Sequence, residues 1–185
     1  MGPPVDKTAI ERETRQLIQY VWTHQQDLLG RTTRNRLDIL EPCYFARALG
    51  YEYQTFPRLG AFGEKGQRFE VAGIIEPDRK FIAISEHHTF SEATIRFTGG
   101  HEIGHALLHP NQRKHRDRPV KGLGERALTE PVEDEADFAS ACLLMPRGLV
   151  QRAFEVIYGP KPLTITEQLA FMLRRDDPES LLRPT

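Results

Sequence analysis

The chain is poor in the features that most quickly assign a protein to a class. Its two cysteines, Cys43 and Cys142, cannot staple a chain of 185 residues, so no disulfide scaffold is expected to hold the fold. No apolar run approaches the roughly 20 residues that span a bilayer, and no charged, apolar and small-residue segment opens the chain. Reduced thiols, a cytoplasmic location and no membrane partner are therefore expected. Net charge is missing too. The 25 Lys and Arg against 26 Asp and Glu leave −1, which excludes a global pull toward nucleic acid or anionic lipid. With no repeat, low-complexity tract or linker, residues 1–185 are expected to form one domain: an N-terminal helix over 1–36, a core over 37–158 and a short C-terminal helix over 159–185.

Periodicity supplies the elements. Asp6 to Leu29 reads as one helix, with Ile10, Leu17, Ile18 and Val21 at helical spacing and Gly30 as its stop. Leu37 to Gly50 reads as a second, with Pro42 in its first turn and Cys43 beside it. From Tyr51 the spacing alternates, and the β-rich runs Phe69–Ile75 and Lys80–Ser85, parted by Pro77-Asp78, predict an antiparallel hairpin. Thr89-Phe90-Ser91-Glu92 matches a capping box, placing the next helix start near Phe90 and leaving His87-His88 in the loop before it. Pro110 to Glu130 is loop-like and basic (Arg113, Lys114, Arg116, Arg118, Lys121), a solvated loop or a contact for an acidic partner. Pro131 opens a helix with a buried face of Val132, Ala136, Ala139 and Leu143. A further helix runs through Leu149, Phe154 and Ile157 to Gly159-Pro160, and Thr164 to about Arg175 reads as the last. The fold class expected is α+β, helices packed on a small antiparallel sheet, with a cleft between the hairpin and two helices whose edge strand could hold an extended peptide.

Within the helix that follows the hairpin stands His101-Glu102-Ile103-Gly104-His105. Each helical residue advances about 100°, so the two imidazoles stack on one face and can share an ion, while Glu102 faces water at that ion instead of binding it. A catalytic zinc site needs a third protein ligand. His109 fits poorly, because the three-histidine pattern requires Gly at Leu108 and His at Asn111. Glu133, on the Pro131 helix, is the favoured acid and Glu135 the alternative; roughly 200° apart, they cannot share the role. Asp137, one turn beyond Glu133, could accept the free N–H of a ligating imidazole. Gly99-Gly100 immediately precede His101, each costing about 1 kcal/mol relative to alanine in a helix interior, so a close approach or a kink is expected there.

The segment from His101 to His109, preceded by Arg96-Phe97-Thr98 and followed by Glu133-x-Glu135-Ala136-Asp137 and Leu143-Leu144-Met145-Pro146, resembles the ImmA/IrrE family of metallopeptidases over about Leu37 to Tyr158. The resemblance implies a gluzincin-like core, Zn²⁺ as cofactor, His101, His105 and Glu133 as metal ligands and Glu102 as the catalytic base. It also implies a helix-turn-helix repressor of the phage type as substrate, cut to relieve repression in a stress, mobile-element or phage-defence operon. Gly99-Gly100 departs from the Leu-Ala usual in that family. With the sequence ending soon after Leu182, no appended sensor domain is expected, and activation is expected from a separate signal such as nucleic acid, or from a partner. In that chemistry Glu102 takes a proton from an acidified water and passes it to the leaving amine. Tyr158, His115 and the downstream arginines are the candidates for steadying the oxyanion. Cys43 reads first as a small buried hydrophobe, but its thiolate could fill the open zinc position as a latch; Cys142 reads as core. The competing function is a zinc-stabilised module that holds a repressor or nucleic acid uncut, which would have no use for Glu102.

Overall fold

A computed structural model describes residues 5–62, 69–110, 114–116 and 131–160, in two compact units, Met1–Met145 and Pro146–Thr185. In the first unit Asp6 caps helix α1 (Lys7–Thr23), its carboxylate accepting from Ala9 N at 3.0 Å. Ile10, Leu17 and Val21 are buried along one face, as the spacing predicts. The helix expected to reach Leu29 breaks at His24. There Thr23 Oγ1 donates back to Gln19 O at 3.1 Å and His24 Nδ1 to Tyr20 O at 2.9 Å, so side chains share carbonyls of the last turn with the backbone. A short α2 (Gln25–Leu29) follows and stops at Gly30, whose φ is +71°. The second predicted helix is also divided, into a 3-10 turn (Arg36–Ile39) and α3 (Pro42–Ala48). Pro42 holds the residue before it out of the helical region, and Glu41 is extended at φ −90°, ψ 133°.

The strands are β1 (Glu52–Phe56), β2 (Ala61–Phe62), β3 (Phe69–Glu70), β4 (Gly73–Glu76), β5 (Phe81–Ser85) and β6 (Lys114–Arg116). The run Phe69–Ile75 is not one strand, because its first part pairs with β2 in a separate ribbon and its second with β5. The hairpin β4–β5 forms as predicted, Ile75 opposite Ile82. Its sheet has the order β1-β5-β4-β6 and is mixed: β4 is antiparallel to both neighbours, whereas β1 lies parallel to β5. A tight turn orients only the strand next in sequence, and the long connection from β1 to β5 leaves either direction open to a reading of periodicity. β6 emerges from the basic stretch read as loop. The class is α+β.

Helix α4 (Glu92–Leu108) is capped by Ser91, which accepts from Thr94 N at 3.1 Å. The predicted cap, Thr89, is engaged elsewhere: its hydroxyl lies 2.9 Å from His87 Nδ1 in the loop. Helix α5 (Pro131–Leu144) opens on its proline as expected. It packs against α4 on one side and α1 on the other. Ile103 of α4 and Leu143 of α5 are fully buried with Phe45, Ile75, Ile82 and Ile84, which joins both helices to α3 and the sheet in one core. Burying each of these aliphatic side chains stabilises the fold by about 1.5–3 kcal/mol. In the second unit α6 (Arg147–Tyr158) ends at Gly159, φ +83°, where the sequence placed its stop. The helix expected from Thr164 lies outside the described residues. Among those described, no helix is long and apolar enough to cross a membrane.

Candidate metal centre

On α4, His101 and His105 are both about 1% exposed, their rings meeting edge to face with centroids 4.6 Å apart. Their Nε2 atoms point at each other across 3.0 Å. The Glu133 carboxylate, from the first turn of α5, lies 3.3 Å from His101 Nε2 and 3.5 Å from His105 Nε2. Three electron-pair donors thus converge on one point. A tetrahedral ion with ligand bonds of about 2.0–2.1 Å separates its ligands by about 3.3 Å, close to these spacings, so the group could hold a divalent cation. Among the described residues, these three form the group of His, Cys, Asp and Glu able to hold a metal.

The neighbours sharpen the fit. Asp137 Oδ1 accepts from His101 Nδ1 at 2.7 Å, which keeps the hydrogen on Nδ1 and leaves the Nε2 lone pair directed at the cluster. His105 Nδ1 has no such acceptor among the described residues. The orientation of the pair therefore rests on Asp137, and Asp137→Asn is expected to weaken metal affinity about 10–100-fold, read by competition with a chromogenic chelator. Burial, above all, pushes the His105 imidazole below its usual range, which favours the neutral, ligating form. The imidazole of His101, and then that of His105, beside it hold the Glu133 carboxyl far below the usual carboxylate range, so it is ionised.

Close packing brings α5 to this distance. A Cβ at Gly104 would lie 2.8 Å from Ala136 O and 2.9 Å from Ala136 Cα, and one at Gly100 would strike Ser140 Oγ. Ser140 Oγ in turn donates to Phe97 O at 2.9 Å, tying the two backbones together. The other glycine, Gly99, makes room on a different face for the Tyr53 hydroxyl and the Pro42 ring of α3. The close approach expected at Gly99-Gly100 is thus real, and it comes from neighbouring elements of the same chain.

The Glu102 carboxylate is fully buried beneath β4. A Cβ at Gly73 would lie 2.7 Å from Glu102 Oε1, so any other residue there would have to displace the carboxylate from its present place under β4. Sequence reasoning missed Gly73, although an isolated glycine in a β-rich run is a known sign of close approach. An edge strand beside the hairpin was expected to receive an extended peptide; the outer edge of β4 itself carries β6, with Arg116 opposite Gly73.

A family model, Peptidase_M78, the IrrE N-terminal-like domain, matches residues 53–162. The chain belongs to that family. No curated protein and no solved structure matches it significantly. The family makes this a metallopeptidase-type domain with the gluzincin-like core expected from the sequence. Among the described residues, Cys43 is not brought into the group formed by His101, His105 and Glu133. Its helix, α3, packs over Gly99, whereas Glu133 approaches over Gly100 and Gly104, and burial pushes its thiol above the usual range. Cys43→Ala is therefore expected to leave both metal content and basal cleavage unchanged; a rise in cleavage would restore the latch. Glu135 does not reach the cluster either and pairs with His109, Oε2 to Nε2 at 3.2 Å. Of the oxyanion candidates, Tyr158 lies in the second unit, and the side chains of His115 and the basic stretch lie outside the described residues.

Proposed function

We propose that this chain is a zinc-dependent endopeptidase that cleaves a helix-turn-helix transcriptional repressor of the phage type and so relieves repression in a stress, mobile-element or phage-defence operon. The observation that carries the reading is the convergence of His101, His105 and Glu133 with a fully buried carboxylate, Glu102, on the next residue of the same helix. Two histidines and one glutamate leave a fourth position open, the donor set of a hydrolytic zinc site. Membership of the peptidase family supports hydrolysis over mere binding. The repressor as substrate rests on the resemblance carried by the residues around the histidine pair.

A divalent cation held by these three side chains supplies Lewis acidity to the scissile carbonyl and lowers the pKa of a water. Glu102 accepts a proton from that water as its oxygen bonds to the carbonyl carbon. The same carboxyl returns the proton to the amide nitrogen as the C–N bond breaks. Asp137 keeps the His101 ring in place throughout, and the β4 backbone over Gly73 closes off one side of Glu102.

The deciding experiment incubates the full chain with zinc and a phage-type helix-turn-helix repressor, sought first in the neighbouring reading frame, and follows cleavage by mass spectrometry. Two discrete fragments, lost on adding chelator, are expected. A repressor that binds tightly and stays intact would replace this reading with the binding module.

A further inference from the structure

Thr98 is 1% exposed, yet its Oγ1 has no hydrogen-bond partner among the described residues. A threonine inside a helix commonly returns its hydroxyl to the carbonyl one turn back, as Thr14 does to Ile10 O at 2.9 Å. Thr98 does not, and a buried hydroxyl left in that state is costly enough to need an explanation. Four residues separate it from Glu102, so both side chains rise from one face of α4, and helical side chains lean back over the preceding turn. Glu102 therefore lies over Thr98. The absent Cβ of Gly73 locates them more closely: that point is 2.7 Å from Thr98 Cγ2 and 2.7 Å from Glu102 Oε1. Of the Thr98 side chain, it is the methyl that shares this point with the carboxylate. A turn of about 120° to the next staggered well carries Oγ1 to the place Cγ2 now holds and Cγ2 on to the third position, and breaks no hydrogen bond among the described residues.

We propose that Thr98 is a positioning residue for Glu102: its hydroxyl turns to the carboxylate and donates to it, fixing one oxygen so that the other faces the attacking water. The inference rests on the reading of Glu102 as the base. A carboxylate oxygen that accepts one hydrogen bond cannot swing away between taking a proton and returning it. Gly73 belongs to the same device, because a side chain on β4 at that point would displace both groups.

The test uses the full chain and three substitutions: Thr98→Val, which swaps the hydroxyl for a methyl, Thr98→Ser, which keeps it, and Glu102→Gln. Kinetics on an internally quenched peptide library, or on the repressor once found, are expected to show kcat about tenfold lower in the Val variant, with KM and zinc content unchanged. The Ser variant should return to within about threefold of the parent. Urea unfolding of Thr98→Val, Glu102→Gln and the double variant, with and without zinc, is expected to show a coupling of about threefold or more in the folding equilibrium. Strict additivity in both conditions overturns the proposal, as does a Val variant with full kcat and a raised Tm, the behaviour of a hydroxyl with no task. Because the unfolding cycle needs no substrate, a parent chain that cuts nothing defeats the peptidase reading while the cycle still decides whether Thr98 holds Glu102.

Discussion

Glu102→Gln is expected to stop peptide cleavage while leaving the metal in place. The substitution keeps the shape of the side chain and removes its ability to take a proton, and positioned general bases contribute about 10²–10⁴-fold to rate. None of the three converging donor atoms belongs to Glu102, so metal affinity should stay within a factor of about two of the parent. Stability separates this outcome from misfolding. Glu102 is 0% exposed, and a neutral amide is easier to bury than a carboxylate, so Tm should hold or rise. Zinc content by elemental analysis, Tm by calorimetry and turnover by fragment mass spectrometry read the three effects independently. Full turnover in this variant would remove Glu102 from the scheme.

The His101 and His105 pair was legible because helical periodicity is local: a spacing of four on a segment with start and stop signals puts two side chains on one face whatever the rest of the chain does. Asp137 was legible by the same rule once Glu133 was chosen, and its carboxylate lies 2.7 Å from His101 Nδ1. Between Glu133 and Glu135 the sequence offered only their 200° separation. The structure separates them along α4's histidine row, Glu133 by His101 and His105 and Glu135 by His109. What stayed hidden depends on contacts distant in sequence. No local period orients β1 parallel to β5, divides the Phe69–Ile75 run between two sheets, or sets β6 against β4. The helix breaks at His24 and Glu41 come from side chains and a proline competing with backbone that the apolar pattern alone would have continued. Gly99 and Gly100 were visible as exceptions to propensity and Gly73 was overlooked, and the reasons for all three, the Tyr53 hydroxyl, Ser140 and Glu102, lie on other elements.

Gly104→Ala should damage the metal site without touching a ligand. In an unconstrained helix interior the change would stabilise by about 1 kcal/mol. Here the new methyl would lie 2.8 Å from Ala136 O and 2.9 Å from Ala136 Cα, and both atoms are backbone, so no side chain can rotate out of the way. Helix α5 must move. Overpacking of this kind costs about 1–3 kcal/mol, enough to cancel or exceed the propensity gain, and Tm is expected to fall. Glu133 stands one turn before Ala136 on the same rigid helix, so the displacement carries its carboxylate away from two imidazoles that it now meets at 3.3 Å and 3.5 Å. A metal affinity reduced by at least about tenfold follows, with the histidines and Glu102 unaltered. Gly148→Ala is the control, because nothing lies within 4 Å of the methyl it adds, and it should leave metal affinity unchanged. If Gly104→Ala binds zinc as tightly as the parent, α5 has slack that the contact at Ala136 denies, and close packing of the two helices is not what holds Glu133 in place.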